Sequence, residues 1–145
     1  MGMKVVVDTK ILSALPARTS QVVSAFLSAE AEQTVNDIKM SIQQVSYGRR
    51  YGAHIASKPG DPPNIDIGTL YGSYKWRPIG ENTRRIETGV EYAPHLEFGT
   101  EQGLAAGMLG PKAQRMAPRP HVGPAMERLR ERLPKDAVKF RLVRP

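Results

Sequence analysis

The amino-acid sequence predicts an α+β fold, in which a long N-terminal amphipathic helix and a short C-terminal helix pack on a small, mostly antiparallel sheet. Two helical stripes of apolar residues, one toward each end of the chain, and an alternating strand pattern between them carry this prediction. The 145 residues fit a single domain, 1–145, and the absence of cysteine leaves packing or assembly to stabilise it.

The long N-terminal helix is the strongest local signal. Between Ser20 and Ser46, apolar residues recur at spacings of three, four and seven or eight, with charged residues mostly between them. Thr19 or Ser20 is expected to cap its start, and Gly48 is expected to take the left-handed conformation at its end. Such a helix would be about 40 Å long and would be the scaffold of the domain. The apolar stripe consists of Val23, Phe26, Leu27, Val35, Ile38, Ile42 and Val45.

Two segments are predicted as strands, and a third is ambiguous. Lys4 to Val7 is a short β-branched run, which predicts a first strand. Arg84 to Tyr92 alternates in polarity, which predicts a strand with one buried face. Prolines make 59–63 a stiff extended loop. The segment from Ile67 to Trp76 fits either a short helix capped near Asp66 or the start of a strand.

The C-terminal part of the chain is punctuated by glycine and proline. A turn of helix at most is expected over His95 to Phe98. Gly123 and Pro124 can open a last helix, which Pro134 is expected to close. The stretch 134–145 would then be a basic tail or an edge strand. The inner stripe of the last helix consists of Ala125, Met126, Leu129 and Leu133.

The positive charge is concentrated at the C-terminal end. The chain carries a formal net charge of +7, and Lys112 to Pro145 holds ten basic and three acidic residues, whereas the preceding part is balanced. This end is expected to be a solvated helix face and tail, or else a contact with DNA or with an acidic partner. The candidate contacts are Arg128, Arg130 and Arg132.

No set of side chains points to catalysis, a metal or a cofactor. His54, His95 and His121 are the only histidines, and the spacing of His95 and Glu97 on a helix would point them to different faces. No serine lies in a G-x-S-x-G pattern, and the glycines from Gly99 to Gly110 do not continue into a phosphate-binding loop. No apolar run is long enough to span a membrane. We therefore expect a non-enzymatic protein without cofactors and without a membrane partner.

The stretch 99–120 is rich in glycine and alanine and holds little that would anchor it to a core. It is expected to be a flexible assembly loop. Met108 and Leu109 form an apolar tip that suits burial against another subunit. At the end of the loop, the prolines on both sides of Arg119 are expected to keep the backbone stiff and extended. Glu97 is the expected partner of the Arg119 guanidinium.

Three blocks of the sequence carry a resemblance to a known family. They read PGDPPNIDIGTLYGSY from Pro59 to Tyr74, EYAPHLEFGT from Glu91 to Thr100, and PRPHVGPAME from Pro118 to Glu127. Together they resemble the small tail-completion, or neck, proteins that join head and tail in long-tailed bacteriophages. The blocks hold 36 residues, and the stretch from Pro59 to Glu127 that contains them is about half of the chain. His121 stands where the family usually has Phe, and Ile67 stands where Thr often precedes the glycine.

The resemblance implies a structural virion protein of the tail or neck, made in the host bacterial cytoplasm and without enzymatic activity. Its subunits would form a homo-oligomeric ring, expected to be a hexamer, between head-completion or connector proteins and the tail tube or tail terminator protein. DNA would pass through the channel. The residues expected at subunit or partner interfaces are Glu97, Phe98, Thr100, Met108, Leu109, Arg119 and His121.

The alternative prediction is a small basic nucleic-acid-binding protein. It rests on the pI of about 9.9 and on the arginines of the C-terminal end. Such a protein would bind arbitrary duplexes with an affinity that falls steeply as salt rises.

Overall fold

The computed structural model describes residues 3–8, 17–100 and 116–139, and these form the α+β fold that the sequence predicts. Met108 and Leu109, with most of the 99–120 stretch, lie outside the described residues, as does the chain from residue 140, so the expectations about them stay predictions. In chain order the elements are β1 (Lys4–Asp8), α1 (Ala17–Gln43), β2 (Arg50–Tyr51), β3 (His54–Ile55), α2 (Thr69–Ser73), β4 (Lys75–Gly80), β5 (Thr83–Glu87), α3 (Ala93–Phe98) and α4 (Gly123–Lys139).

The larger sheet has the strand order β1-β5-β4, and both strand pairs are antiparallel. In the middle strand, Ile86 lies opposite Val5 on one side and Trp76 on the other. The register of β4 shifts between Pro78 and Gly80, on an outer strand, where proline is tolerated. Helix α1 lies against β4 and β5, and α4 lies against α1, so α1 is the scaffold that its length predicts.

The core is built on the apolar stripe of α1. All its members except Val45 are buried, and Ile38 is 0% exposed. Val45 lies beyond the end of the helix and is 71% exposed. Fully burying an aliphatic or aromatic side chain contributes about 1.5–3 kcal/mol, so this stripe drives folding of the helix. The smaller cluster, called the Phe26 cluster below, consists of Val23, Phe26 and Leu27. The main cluster consists of Val35, Ile38, Ile42, Leu70, Tyr74, Ile86, Ala93, Val122 and Ala125.

The predicted caps of α1 are wrong at both ends. The helix begins at Ala17, so neither Thr19 nor Ser20 caps it. Gly48 does not have a positive φ. Its N–H donates to the carbonyl oxygen of Ala56 at 2.9 Å, and a Cβ on Gly48 would lie 2.6 Å from that oxygen. Close approach of two backbone segments requires glycine at this position.

The strand predicted over Arg84 to Tyr92 is shorter than expected. Strand β5 ends at Glu87, and the chain then turns. The hydroxyl of Thr88 lies 2.6 Å from that of Ser73 and accepts a hydrogen bond from the N–H of Val90. Local bonds between a side chain and the backbone compete with a strand ladder in this way.

The ambiguous segment 67–76 contains both alternatives, because α2 comes first and β4 follows it. Gly68, with a φ of 81°, precedes the helix, and no side chain caps it, so Asp66 does not have the expected capping role. The hairpin of β2 and β3 was not predicted. Its strands have two residues each, which is too short for alternation to be recognised.

Helix α4 continues through Pro134 to Lys139, so the predicted closure at Pro134 is wrong. The edge strand is also wrong for Ala137 to Lys139, which are helical. Pro134 is exposed, and its missing N–H removes one hydrogen bond from the helix. Leu133 and Ala137, on either side of it, pack against the Phe26 cluster. These contacts hold the helix together across the proline.

Candidate functional site

The three sequence blocks that carry the family resemblance meet in one region. The N–H of Gly60 donates to the carbonyl oxygen of Pro118 at 2.9 Å, so the first block contacts the third. The N–H of Arg119 donates to the carbonyl oxygen of Leu96 at 2.6 Å, so the third block also contacts the second. The region is called the junction below and comprises residues 57–60, 74, 96–100 and 116–123.

The side chain of Glu97 caps the N-terminus of α4. Its Oε2 accepts hydrogen bonds from the N–H groups of His121 (2.8 Å) and Val122 (2.9 Å). Its Oε1 accepts one from the N–H of Gly123 (2.8 Å). The first N–H groups of a helix have no partner within the helix, and the helix dipole favours a negative group there. The predicted pair of Glu97 with Arg119 is therefore wrong, because the carboxylate is turned toward these N–H groups.

His121 is buried completely at the centre of the junction. Its Nδ1 lies 3.0 Å from the carbonyl oxygen of Arg119 and 3.1 Å from Oε2 of Glu97. Its Nε2 lies 2.8 Å from the hydroxyl of Tyr74. Burial lowers the pKa of His121 and raises the pKa of Tyr74, so both side chains are neutral near pH 7. The tautomer that fits these distances donates from Nδ1 to the Arg119 carbonyl and accepts at Nε2 from Tyr74.

Arg119 ties the junction to the proline-rich loop. Its Nε donates to Oγ of Ser57 at 3.0 Å, and its Nη2 donates to the carbonyl oxygen of Ser57 at 3.3 Å. Pro118 and Pro120 restrict the backbone on both sides of it, as predicted from their spacing. Sequence reasoning missed Ser57 and Tyr74 as members of this site. No local signal identifies such partners, because Ser57 precedes Arg119 by 62 positions.

The two ends of the 101–115 segment are clamped together at the edge of the junction. The N–H of Thr100 donates to the carbonyl oxygen of Met116, and the N–H of Met116 donates to Oγ1 of Thr100, each at 2.9 Å. Gly99 ends α3, as predicted, with a φ of 75°. A Cβ on Gly99 would lie 2.6 Å from the Met116 carbonyl oxygen, so both conformation and space require glycine. Thr100 and Met116, the described residues on either side of 101–115, are therefore held together by two hydrogen bonds.

A groove of about 750 Å³ lies beside the junction, with Met116 and Arg119 in its lining. Part of that lining is apolar and exposed: Ile65 is 44%, Ile67 85% and Tyr92 47% exposed. These three residues are called the groove rim below. Exposed apolar side chains that line one groove are a candidate interaction surface.

The described residues predicted at an interface fall into three groups. Glu97 and His121 are buried, so their side chains cannot contact a partner in this conformation, and they instead fix the backbone. Thr100 and Arg119 are partly buried and bonded within the junction. Phe98 is the one described member of the set with an exposed side chain, at 70%. Most of the predicted residues therefore support the site from within.

The three arginines predicted to contact DNA or an acidic partner differ in their surroundings. The Nε of Arg132 lies 2.8 Å from Glu30 and its Nη1 lies 2.8 Å from Asp37, both on α1. Arg128 donates from Nη2 to the carbonyl oxygen of Asp37 at 2.9 Å. Arg130 faces outward, with 72% of its side chain exposed. The expected outward contact does not hold for Arg132, whose guanidinium is engaged within the chain.

The junction contains residue types that serve in proton transfer but not in an arrangement that suits catalysis. Glu97, His121 and Tyr74 are all buried, and the first two are bonded to backbone groups. General acid or base catalysis requires a substrate atom within hydrogen-bond reach of the catalytic group. A substrate atom cannot reach these buried side chains in this conformation. Within the described residues, no group of three or more His, Cys, Asp or Glu could hold a metal ion. Of the helices described, none has the length and apolar character needed to cross a membrane.

Comparison with known proteins gives no relative, since no family model, curated protein or solved structure matches the chain. The resemblance of the three blocks therefore rests on the residues themselves.

Proposed function

We propose that the protein is a structural component of the head–tail connector, or neck, of a long-tailed bacteriophage. It completes the tail and joins it to the head as a subunit of a homo-oligomeric ring, expected to be a hexamer. One side of the ring contacts the tail tube or tail terminator protein, and the other contacts head-completion or connector proteins. In this role the protein belongs to the virion and carries out no reaction.

The observation that carries the proposal is that three separated blocks of family-like sequence bond to one another. Glu97 of the second block caps the helix that the third block begins. Tyr74, at the end of the first block, bonds to His121 of the third. A chance similarity of short segments has no reason to select residues that meet in space. A shared fold does, because the same contacts must be made each time.

The surface beside the junction has the character that a ring contact requires. A closed ring uses two different, complementary faces of each subunit. The groove rim, with Ile67 as its most exposed member, and Phe98 supply exposed apolar side chains near the junction. The clamp of Thr100 and Met116 fixes where the stretch with Met108 and Leu109 begins and ends, so that this stretch starts from the same point in every subunit.

The test is the native mass of the purified protein by light scattering, alone and mixed with purified tail tubes. We expect a ring, or a monomer that becomes a ring on the tubes. The double variant Ile67→Asp/Phe98→Asp should remain folded and stay monomeric under both conditions, because two charges would enter the apolar contact. Met40→Asp is the matched control, since Met40 is 60% exposed on α1, and it should assemble as the unaltered protein does.

Two outcomes would contradict parts of the proposal. One is assembly of the double variant with unchanged mass, which would keep the ring but remove the groove rim and Phe98 from its interface. The other is a monomer that ignores tail tubes and binds duplex DNA in a salt-sensitive manner. That result would favour the alternative, a small basic nucleic-acid-binding protein.

A further inference from the structure

The hairpin of β2 and β3 presents a rigid backbone to solvent. Its ladder continues beyond the two strands, because Ala56 donates its N–H to the carbonyl oxygen of Arg49 at 3.0 Å. Asn64 fastens the base: its Nδ2 donates to the carbonyl oxygens of Ser46 (2.6 Å) and Ile55 (2.7 Å). Its Oδ1 accepts from the N–H of Ser46 at 3.0 Å. One side chain thus bonds both to β3 and to the chain that leads into β2.

The chain segment that forms the hairpin carries only positive charge, and one carboxylate from outside it, that of Asp66, lies 3.5 Å from Nδ1 of His54. Between Gln43 and Gly60 the chain has Arg49, Arg50 and Lys58 but no aspartate or glutamate. All three are exposed, and none of them forms an ion pair with a carboxylate within the part of the chain that the structure describes. They differ in this respect from Arg132, whose charge is used to hold α4 on α1.

Two exposed tyrosines alternate with one of these arginines. Tyr47 is 71% and Tyr51 is 56% exposed. Residues two apart in an extended segment lie on the same face, so Arg49 and Tyr51 share one face of the hairpin, and Tyr47 precedes them in the chain that leads into β2. The guanidinium carbon of Arg49 lies 5.4 Å from the centroid of the Tyr51 ring, which agrees with this placement. His54 lies directly opposite Tyr51 in the ladder.

We propose that this hairpin binds nucleic acid, with the guanidinium groups of Arg49 and Arg50, one on each face, on backbone phosphates and the tyrosine rings stacked on unpaired bases. Guanidinium groups bind phosphate through paired donors, and aromatic rings next to positive charge are the surface that binds single strands. An acidic protein would use the charges but has no need of two exposed rings between them. The inference does not depend on the neck proposal, since it would hold for a monomer as for a ring.

The test is fluorescence anisotropy of a labelled single-stranded oligonucleotide, and of the matching duplex, titrated with the full-length protein at several salt concentrations. Arg49→Gln/Arg50→Gln should weaken binding of both by about tenfold or more at low salt. The same variant should reduce the slope of log affinity against log salt by about two, one for each lost phosphate contact. Tyr47→Ser/Tyr51→Ser should weaken single-strand binding by on the order of tenfold and leave the salt slope unchanged.

The control variant is Lys75→Gln/Lys135→Gln, which removes the same charge from exposed positions on β4 and α4. It should bind as the unaltered protein does, to within about twofold. Circular dichroism checks that each variant is folded, and light scattering checks its mass separately, so loss of a ring is not mistaken for loss of binding. Equal weakening by the control and hairpin variants, no binding at low salt, or equally tight binding of labelled polyglutamate that the tyrosine variant leaves unchanged would overturn the proposal.

Discussion

The two halves of helix α4 are held to the rest of the chain by opposite kinds of charged contact. At the N-terminus, the buried carboxylate of Glu97 accepts three backbone hydrogen bonds of 2.8–2.9 Å. In the C-terminal half, the guanidinium of Arg132 reaches Glu30 and Asp37 of α1 at 2.8 Å each. The first contact involves the backbone at the start of α4, residues 121–123, whereas the second joins side chains alone.

This difference decides what can replace a lost partner. N–H groups at the start of a helix cannot turn away without unwinding it. Long side chains can turn toward water, and their pairs contribute less as they become more exposed. The Glu97 side chain is 6% exposed and the Arg132 side chain is 22% exposed. The N-terminal half of α4 should therefore be the more sensitive to substitution.

Removal of the Glu97 carboxylate should give the largest effect. Glu97→Ala would leave three N–H groups without their acceptor, and we expect a loss of about 3 kcal/mol or more in the free energy of unfolding. Urea denaturation followed by circular dichroism measures this loss. Glu97→Gln is the matched control, since it keeps the volume and one acceptor oxygen, and it should lose about half as much. A loss below about 1 kcal/mol for the alanine variant would show that the cap is dispensable.

Removal of the Arg132 guanidinium should have the next largest effect. Arg132→Ala would leave Glu30 and Asp37, which are 7% and 6% exposed, without their shared partner. We expect a loss of about 2 kcal/mol, less than for a fully buried pair, because the guanidinium is partly exposed. Arg132→Lys keeps the charge without the forked geometry and should recover about half of the loss. If Arg132→Ala were as harmful as Glu97→Ala under the same urea titration, the proposed difference between the two halves would not hold.

Mild acid should distinguish the two halves further. Burial lowers the pKa of His121 in the folded protein, so below about pH 6.5 the unfolded chain binds a proton that the folded chain does not. The stability contributed by neutral His121 is thus present above that pH and decreases as pH falls through this range. Arg132 does not titrate there. Urea midpoints at about pH 7 and pH 5.5 measure the decrease.

The double variant Tyr74→Phe/His121→Phe removes this titration without leaving the tyrosine hydroxyl unpaired. Its stability should depend less on pH over the same range. His54→Gln serves as the control, because His54 is partly exposed and lies outside the junction, and it should keep the pH dependence of the unaltered protein. An unchanged dependence in the double variant would assign the decrease to other groups.

Much of the fold could be predicted because burial imposes a period on the sequence. The stripe of α1 and the inner residues of β5 and α4 follow that period, and their residues pack in the core. The ends of the helices and strands were less predictable, because they depend on contacts with residues that are distant in the sequence. Gly48 is needed for its approach to Ala56, and α4 passes through Pro134 because its neighbours pack on the Phe26 cluster.

The site was predicted in part for the same reason. Glu97 and Arg119 were identified from composition and spacing, but their partners were not. A carboxylate that caps a helix 26 positions later in the chain has no local signature. The basic hairpin had a weak local signature in the sequence. Gly52, which has a φ of 60°, follows the tyrosine that ends the first strand, and glycine is typical of hairpin turns.

The smallest effect is expected at Arg130, which provides the reference for the comparison. Arg130 pairs with Glu127 on the same helix at 2.5 Å, and the two side chains are 72% and 63% exposed. Arg130→Ala should change the free energy of unfolding by less than about 0.5 kcal/mol, because exposed pairs contribute little. Arg130 and Arg132 carry the same charge on the same helix, so the difference between their alanine variants measures what contact with α1 adds. If urea denaturation showed equal losses in the free energy of unfolding for the two alanine variants, the stability of α4 would depend on its net charge. The contact of Arg132 with Glu30 and Asp37 would then have no separate role.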